Sequence, residues 1–202
     1  MTRLFHAHNA IRDSLLVASA MLAGSMVLAM ELTGPGAARA ATFCAVSSGV
    51  TQTATSVTGT AGGDWIDCSM ADAGKLINAR HGADTIIGTA FGDTIDGGDG
   101  SDSVTGGGGD DSVTGNEGDD TLTGSGGNDS LNGNHGADTV NGGVGNDSLD
   151  GGRGADILNG DDGDDVLSGA PNDSNVDRLD GGPGIDLCQG PGPDRDILTG
   201  CP

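Results

Sequence analysis

Aspartate recurs at an interval of nine residues through the middle of the 202-residue chain: Asp84, Asp93, Asp102, Asp111, Asp120, Asp129, Asp138, Asp147, Asp156 and Asp165. So regular a ladder offers no distinctive pair and no cleft, which argues against the paired-carboxylate chemistry of glycoside hydrolysis. It suits a repeated cation site instead. Carboxylates stacked ~5 Å apart repel one another unless a positive charge lies between them. Calcium accepts six to eight oxygen ligands in flexible geometry, drawn from carboxylates and exposed carbonyls. Magnesium demands a stricter octahedron, and zinc wants Cys and His, which the ladder does not supply. An EF-hand is excluded because its loop ends in a bidentate Glu, and Glu117 is the only Glu beyond Glu31.

The elements that must hold these side chains are legible in the same register. From Ala79 to Ser168 the chain divides into ten nonapeptides whose sixth residue is always Asp. The eighth is always aliphatic, from Ile86 to Leu167, and the fourth is Gly in nine of the ten, Phe91 being the exception. Residues seven to nine, such as Ser103-Val104-Thr105, favour a short strand with its middle side chain inward. The six Gly-rich residues before them permit a tight turn. Asn132-Gly133, Asn141-Gly142 and Asn159-Gly160 are hairpin signals, but three-residue strands joined by six-residue loops suit a meander badly. A coil with two nonapeptides per turn fits better, its turns stacked ~4.8 Å apart around the aliphatic column. It places Asp102, Asp120, Asp138 and Asp156 in one column and Asp111, Asp129, Asp147 and Asp165 in the other. The predicted fold class is all-β.

The ladder continues past both ends in less regular units. Gly59 to Asp67 is a further copy with Asp64 in the sixth place, and eleven residues, Cys68 to Asn78, bridge it to the strict array. Downstream, Gly169 to Asp180 fits with three inserted residues and Asp177 in the sixth role. Gly181 to Gln189 carries Asp186 there and Cys188 in the aliphatic place, and Asp196 lies near the expected position of the last segment.

The segments Gly97-Gly-Asp-Gly-Ser-Asp102-Ser-Val104-Thr105 and Gly142-Gly-Val-Gly-Asn-Asp147-Ser-Leu149-Asp150 resemble the GGxGxDxUx nonapeptide of the RTX (repeats-in-toxin, haemolysin-type) calcium-binding family. The resemblance covers about 59–199. It implies a right-handed parallel β-roll with Ca2+ between the turns of successive repeats on each side. The sixth-position Asp would give a carboxylate, and residues one, three and five mainly carbonyls. Five turns of the strict array would make about four interior sites per side, roughly eight in all.

The flanking sequence places this array. Arg3 and Arg12 precede an apolar run, Leu15 to Met30, and the stretch ends Ala38-Arg39-Ala40. That pattern predicts a secretory signal peptide over 1–40, cleaved after Ala40. The run of 16 residues, ~24 Å long as a helix, is too short for a ~30 Å membrane core, so no membrane span is expected in the mature chain. Cys44, Cys68, Cys188 and Cys201 read as two disulfides in an exported chain, and of three pairings the two short loops, which bracket the middle, are favoured. The expected organisation is an amino-terminal cap over 41–58, the nonapeptide coil over 59–180, and further repeats with a disulfide cap over 181–202.

The net charge of -22 excludes nucleic acid as a direct partner, because phosphate binding needs a basic surface. Neither His-Glu-x-x-His nor Gly-x-Ser-x-Gly occurs, and no enzymatic activity is expected. His81 and His135 share position three on one edge, three turns or ~14 Å apart, too far for one shared ion. Trp65 is expected to pack under the amino-terminal cap. Ser or Thr at position seven, with Thr, Asn or Asp often at nine, makes a flat polar sheet on each face. The function read from the sequence is a secreted calcium-binding protein that folds with its metal. An extracellular polysaccharide or cell surface is the alternative partner, with ice binding through Ser103, Thr105, Thr121 and Thr123 behind it.

Overall fold

The computed structural model describes residues 18–22, 25–29, 43–169, 174–189 and 196–201. The expected basic start and cleavage site of the leader lie outside them. Within its apolar run, β1 (Ala18–Leu22) and β2 (Ser25–Ala29) pair as an antiparallel hairpin. There follow β3 (Ala45–Ser47), β4 (Thr51–Gln52), β5 (Ser56–Thr58), β6 (Trp65–Asp67), β7 (Leu76–Asn78) and β8 (Thr85–Ile87). The array then runs through β9 (Thr94–Asp99), β10 (Ser103–Gly108), β11 (Ser112–Glu117), β12 (Thr121–Gly126), β13 (Ser130–His135), β14 (Thr139–Val144), β15 (Ser148–Arg153) and β16 (Ile157–Asp162). The last strands are β17 (Val166–Ser168), β18 (Arg178–Asp180), β19 (Leu187–Gln189) and β20 (Ile197–Thr199). Among the described residues no helix occurs.

From β5 onward, strands alternate between two parallel sheets. Even-numbered strands β6 to β20 form one, here sheet A, and odd-numbered β5 to β19 form the other, sheet B. Each strand pairs with the one two ahead in sequence, Val104 with Leu122 and Val113 with Leu131, so two nonapeptides make a turn. The chain is therefore a parallel β-solenoid. Its interior is the eighth-position column, with Ile66, Ile86, Val104, Leu122, Val140 and Leu158 from one sheet facing Ile77, Ile95, Val113, Leu131, Leu149 and Leu167 from the other, all about 1% exposed or less. Period-two alternation makes this column: position eight points in, and seven and nine point out.

Three features depart from the sequence reading. The array strands β9 to β16 are six residues long, covering positions seven to three of the following repeat, so the turn proper is only positions four to six. The coil also begins earlier than residue 59, because Val57 of β5 stacks on Ile77 of β7. The eleven-residue bridge, which carries β7, is thus itself half a turn of the coil. Trp65, at an outward seventh position, is 38% exposed rather than packed under the cap.

At the amino-terminal end the parallel pattern stops in antiparallel pairs, β4 with β5 and β3 with β6, and β2 pairs on β3. Disulfides join Cys44 to Cys68 and Cys188 to Cys201, the short-loop pairing expected, one near each end.

Candidate metal centre

The turns of the coil form two edges, and each edge carries one column of sixth-position aspartates. The column leading into sheet A runs Asp84, Asp102, Asp120, Asp138, and its links are hydrogen bonds. The main-chain N–H of Asp102 donates to Oδ1 of Asp120, and that of Asp120 to Oδ1 of Asp138, each at 2.8 Å. The same link joins Asp138 to Asp156, Asp156 to Asp177 and Asp177 to Asp196. The other edge repeats it from Asp93 to Asp111, Asp129, Asp147, Asp165 and Asp186 at 2.7 to 3.0 Å. One carboxylate oxygen per repeat thus ties a turn to the turn before it.

The second oxygen is differently placed. Oδ2 of Asp84, Asp102, Asp111, Asp120, Asp129, Asp138, Asp147, Asp165 and Asp186 is buried without a hydrogen-bond partner. It lies folded against the first residue of its own repeat: a methyl on Gly115 would sit 2.2 Å from Oδ2 of Asp120. Position one is Gly in every strict repeat after the first, which has Ala79, because the carboxylate occupies the space a side chain would need. A buried acceptor left unpaired costs about 1–3 kcal/mol, more when it is charged. Here the omission recurs in register along both edges, which is the form expected of a donor set waiting for cations. Among the described residues no three acidic, His or Cys side chains converge, so further ligands at such a site would be main-chain carbonyls.

Two aspartates are already satisfied. Oδ2 of Asp93 accepts the Thr89 N–H at 2.6 Å, and Oδ2 of Asp64 accepts the Thr60 N–H at 2.6 Å. Ser47 Oγ adds a bond to Oδ1 of Asp64 at 2.8 Å. Both lie in units that read Gly-Thr-Ala, where Thr replaces the flexible second residue. Lys75 is the third exception, standing where its column would place an aspartate. Its N–H donates to Oδ1 of Asp93 and its Nζ to the Ala54 carbonyl. Sequence reasoning had counted Cys68 to Asn78 only as a bridge, so this place was missed; the hint was Leu76-Ile77-Asn78 behind it.

The family described as RTX calcium-binding nonapeptide repeat (4 copies) matches residues 82–113, 114–149 and 142–176. Residues 82–176 are RTX calcium-binding nonapeptide repeats. No curated protein is similar to it at a significant level. RTX repeats bind calcium, and the aspartates from Asp84 to Asp165 lie within the matched residues. Both disulfides of this RTX protein belong to an oxidising compartment rather than to the cytosol. No helix among the described residues is long and apolar enough to cross a membrane.

Burial sets the acidity of the RTX aspartates. Desolvation raises the carboxyls of Asp102 and Asp147 to about 6 and those of Asp111 and Asp120 to about 7. The main-chain bond opposes the rise, and neighbouring aspartates add to it. A folded carboxyl raised above its ordinary value of 3.8 stabilises the metal-free coil fully below that value, and the contribution is lost as pH rises through about 7. Metal-free protein is therefore expected to show more strand by circular dichroism at pH 4 than at pH 7.5. Calcium affinity should run the other way, falling as protons claim the carboxylates between pH 7 and 6. Equal strand content at the two pH values without metal would contradict the assignment.

The two oxygens can be separated by substitution. Asp129→Asn keeps an acceptor for the Asp111 N–H but removes the charge, and should lower the number of ions bound while costing under about 1 kcal/mol in metal-free stability at acid pH. Asp129→Ala also orphans a buried N–H and should cost a further 1–3 kcal/mol or so. Calorimetric titration and thermal melts of the two variants distinguish these effects.

Proposed function

We propose that this chain is a secreted calcium-binding protein whose RTX coil folds as it binds several Ca2+ ions between stacked turns, in a structural or surface-interaction role. The observation that carries the reading is the register of buried, unpaired Oδ2 atoms on both edges. By register the ligands are Asp84, Asp102, Asp111, Asp120, Asp129, Asp138, Asp147, Asp156 and Asp165, followed by Asp177 and Asp186 in the longer units. Asp64 and Asp93, whose oxygens are engaged, suit the role least. Bound calcium supplies the positive charge that lets neighbouring buried carboxylates remain ionised.

The basic start and apolar run of residues 1–40, with two disulfides downstream, support export and removal of a leader after Ala40. Residues 41–55 would then form the amino-terminal cap, 56–180 the coil, with β5 (Ser56–Thr58) as its first strand, and 181–202 the closing repeats. Calorimetric titration of the mature chain, with dichroism followed in parallel, tests the whole reading. Stoichiometry near eight with coupled folding is expected. Absence of saturable binding at millimolar calcium would overturn it.

A further inference from the structure

The two faces of the coil differ, although the sequence suggested a flat polar sheet on each. At position three, sheet A presents Gly108, Gly126 and Val144 before a single acid, Asp162, whereas sheet B stacks Asp99, Glu117, His135 and Arg153 in direct register. His81 joins the sheet B row through its bridge to Asp99. Beside this row, ninth-position and second-position side chains leave a groove along the coil axis. One stretch of about 470 Å³ is lined by Asn78, Arg80, Asp96, Asn116, Asn134 and His135, among others. A second of about 430 Å³ shares Asn134 and His135 and continues to Asn132, Asp150 and Arg153. The two adjoin at Asn134 and His135, and together they make a trough along sheet B.

Within the trough the acids are held by their neighbours. Asp96 accepts bonds from Asn116 at 2.6 Å and Asn78 at 3.1 Å, and Asp99 pairs with His81 at 2.8 Å. Glu117 lies 3.9 Å from His135, and Asp150 takes the Gly152 N–H. Arg80 and Arg153, both exposed, make no ion pair or side-chain hydrogen bond among the described residues. They stand four turns apart, ~19 Å at the strand spacing. In a chain of net charge -22, this strip offers two guanidiniums and the Asn132 and Asn134 amides, while Asp96, Asp99 and Asp150 are bonded to their neighbours.

We propose that the sheet B trough binds an extended pyranose chain, with Arg80 and Arg153 donating at its two ends and Asn116, Asn132 and Asn134 facing its hydroxyls. The proposal rests on the calcium-loaded coil of the preceding section, since the trough exists only when the turns are stacked. Two considerations favour a polysaccharide over a compact ligand. The trough is long and shallow with polar walls, and its chemistry repeats every turn, a spacing close to the length of one sugar unit in an extended chain.

The test is calorimetric titration of the mature protein in millimolar calcium with a hexamer of glucose and a hexamer of galacturonate, dichroism reporting the fold. Saturable binding of either hexamer is expected, and the double variant Arg80→Asn, Arg153→Asn should weaken it at least tenfold with calcium stoichiometry unchanged. Asn is chosen because Arg80 has a φ of 82°, a conformation that Asn116 and Asn134 already adopt at the same position. Binding confined to the galacturonate hexamer would assign the guanidiniums to carboxylates; binding of both would assign them to hydroxyls. A folded, calcium-loaded protein that binds neither, or a double variant that binds as well as the parent, overturns the trough. Failure to fold in calcium would instead overturn the preceding section.

Discussion

Chelation of calcium is expected to abolish most of the strand signal at neutral pH, and millimolar calcium to restore it. If each site binds at ~0.1 mM, ~1 mM calcium stabilises the fold by about 1.4 kcal/mol per site. A handful of sites then matches the entire stability of an ordinary domain, roughly 5–15 kcal/mol. The loss should not be uniform. Asp64 and Asp93 are satisfied by Thr60 and Thr89, Lys75 fills one place in its column, and Cys44–Cys68 closes that end. Hydrogen exchange in chelator should leave residual protection within 44–96 and none through 97–168. Full protection of the array without metal would refute metal-coupled folding.

Gly136→Ala should be among the most damaging single substitutions in the array, and Gly126→Ala nearly silent. Gly136 has a φ of 140°, and a methyl there would lie 1.8 Å from the Gly118 carbonyl oxygen of the turn below. The new side chain meets main chain that cannot give way, and left-handed strain of about 1–2 kcal/mol comes in addition. A loss of more than about 3 kcal/mol is expected, with fewer calcium ions bound because neighbouring turns can no longer stack. At Gly126 the same methyl meets nothing within 4 Å, so the thermal midpoint in calcium should hold. Two glycines ten residues apart thus make a matched pair, and equal melting of both variants would show that the turn is looser than its geometry implies.

Much of this architecture could be read before any coordinates, because a nine-residue period leaves little choice of fold. Once Val104 and Leu122 had to share an interior, two repeats per turn and both aspartate columns followed. What escaped was set by main-chain geometry rather than by side-chain pattern. Positive φ falls at position two as well as four, and position two accepts Asn116, Ser125 and Asn134 beside glycines, so the Gly count did not mark it. Strands continue across Gly at position one, a residue that sequence assigns to turns. Lys75 was hidden because a sixth place filled by lysine breaks the very signature used to find the repeat. The difference between the faces was also missed: only when alternate repeats are separated into two sheets do Asp99, Glu117, His135 and Arg153 align.

The two disulfides close loops of 24 and 13 residues at the ends and leave the coil between Cys68 and Cys188 without a covalent cross-link. Each turn uses 18 residues to advance ~4.8 Å, and the same 18 residues drawn straight reach ~60 Å. Pulled from its disulfide-closed ends, the molecule would release ~55 Å of tether per turn, with calcium setting the force at which each turn lets go. Between two anchored surfaces it would act as a reeling line whose tension follows the ion content of the surrounding fluid.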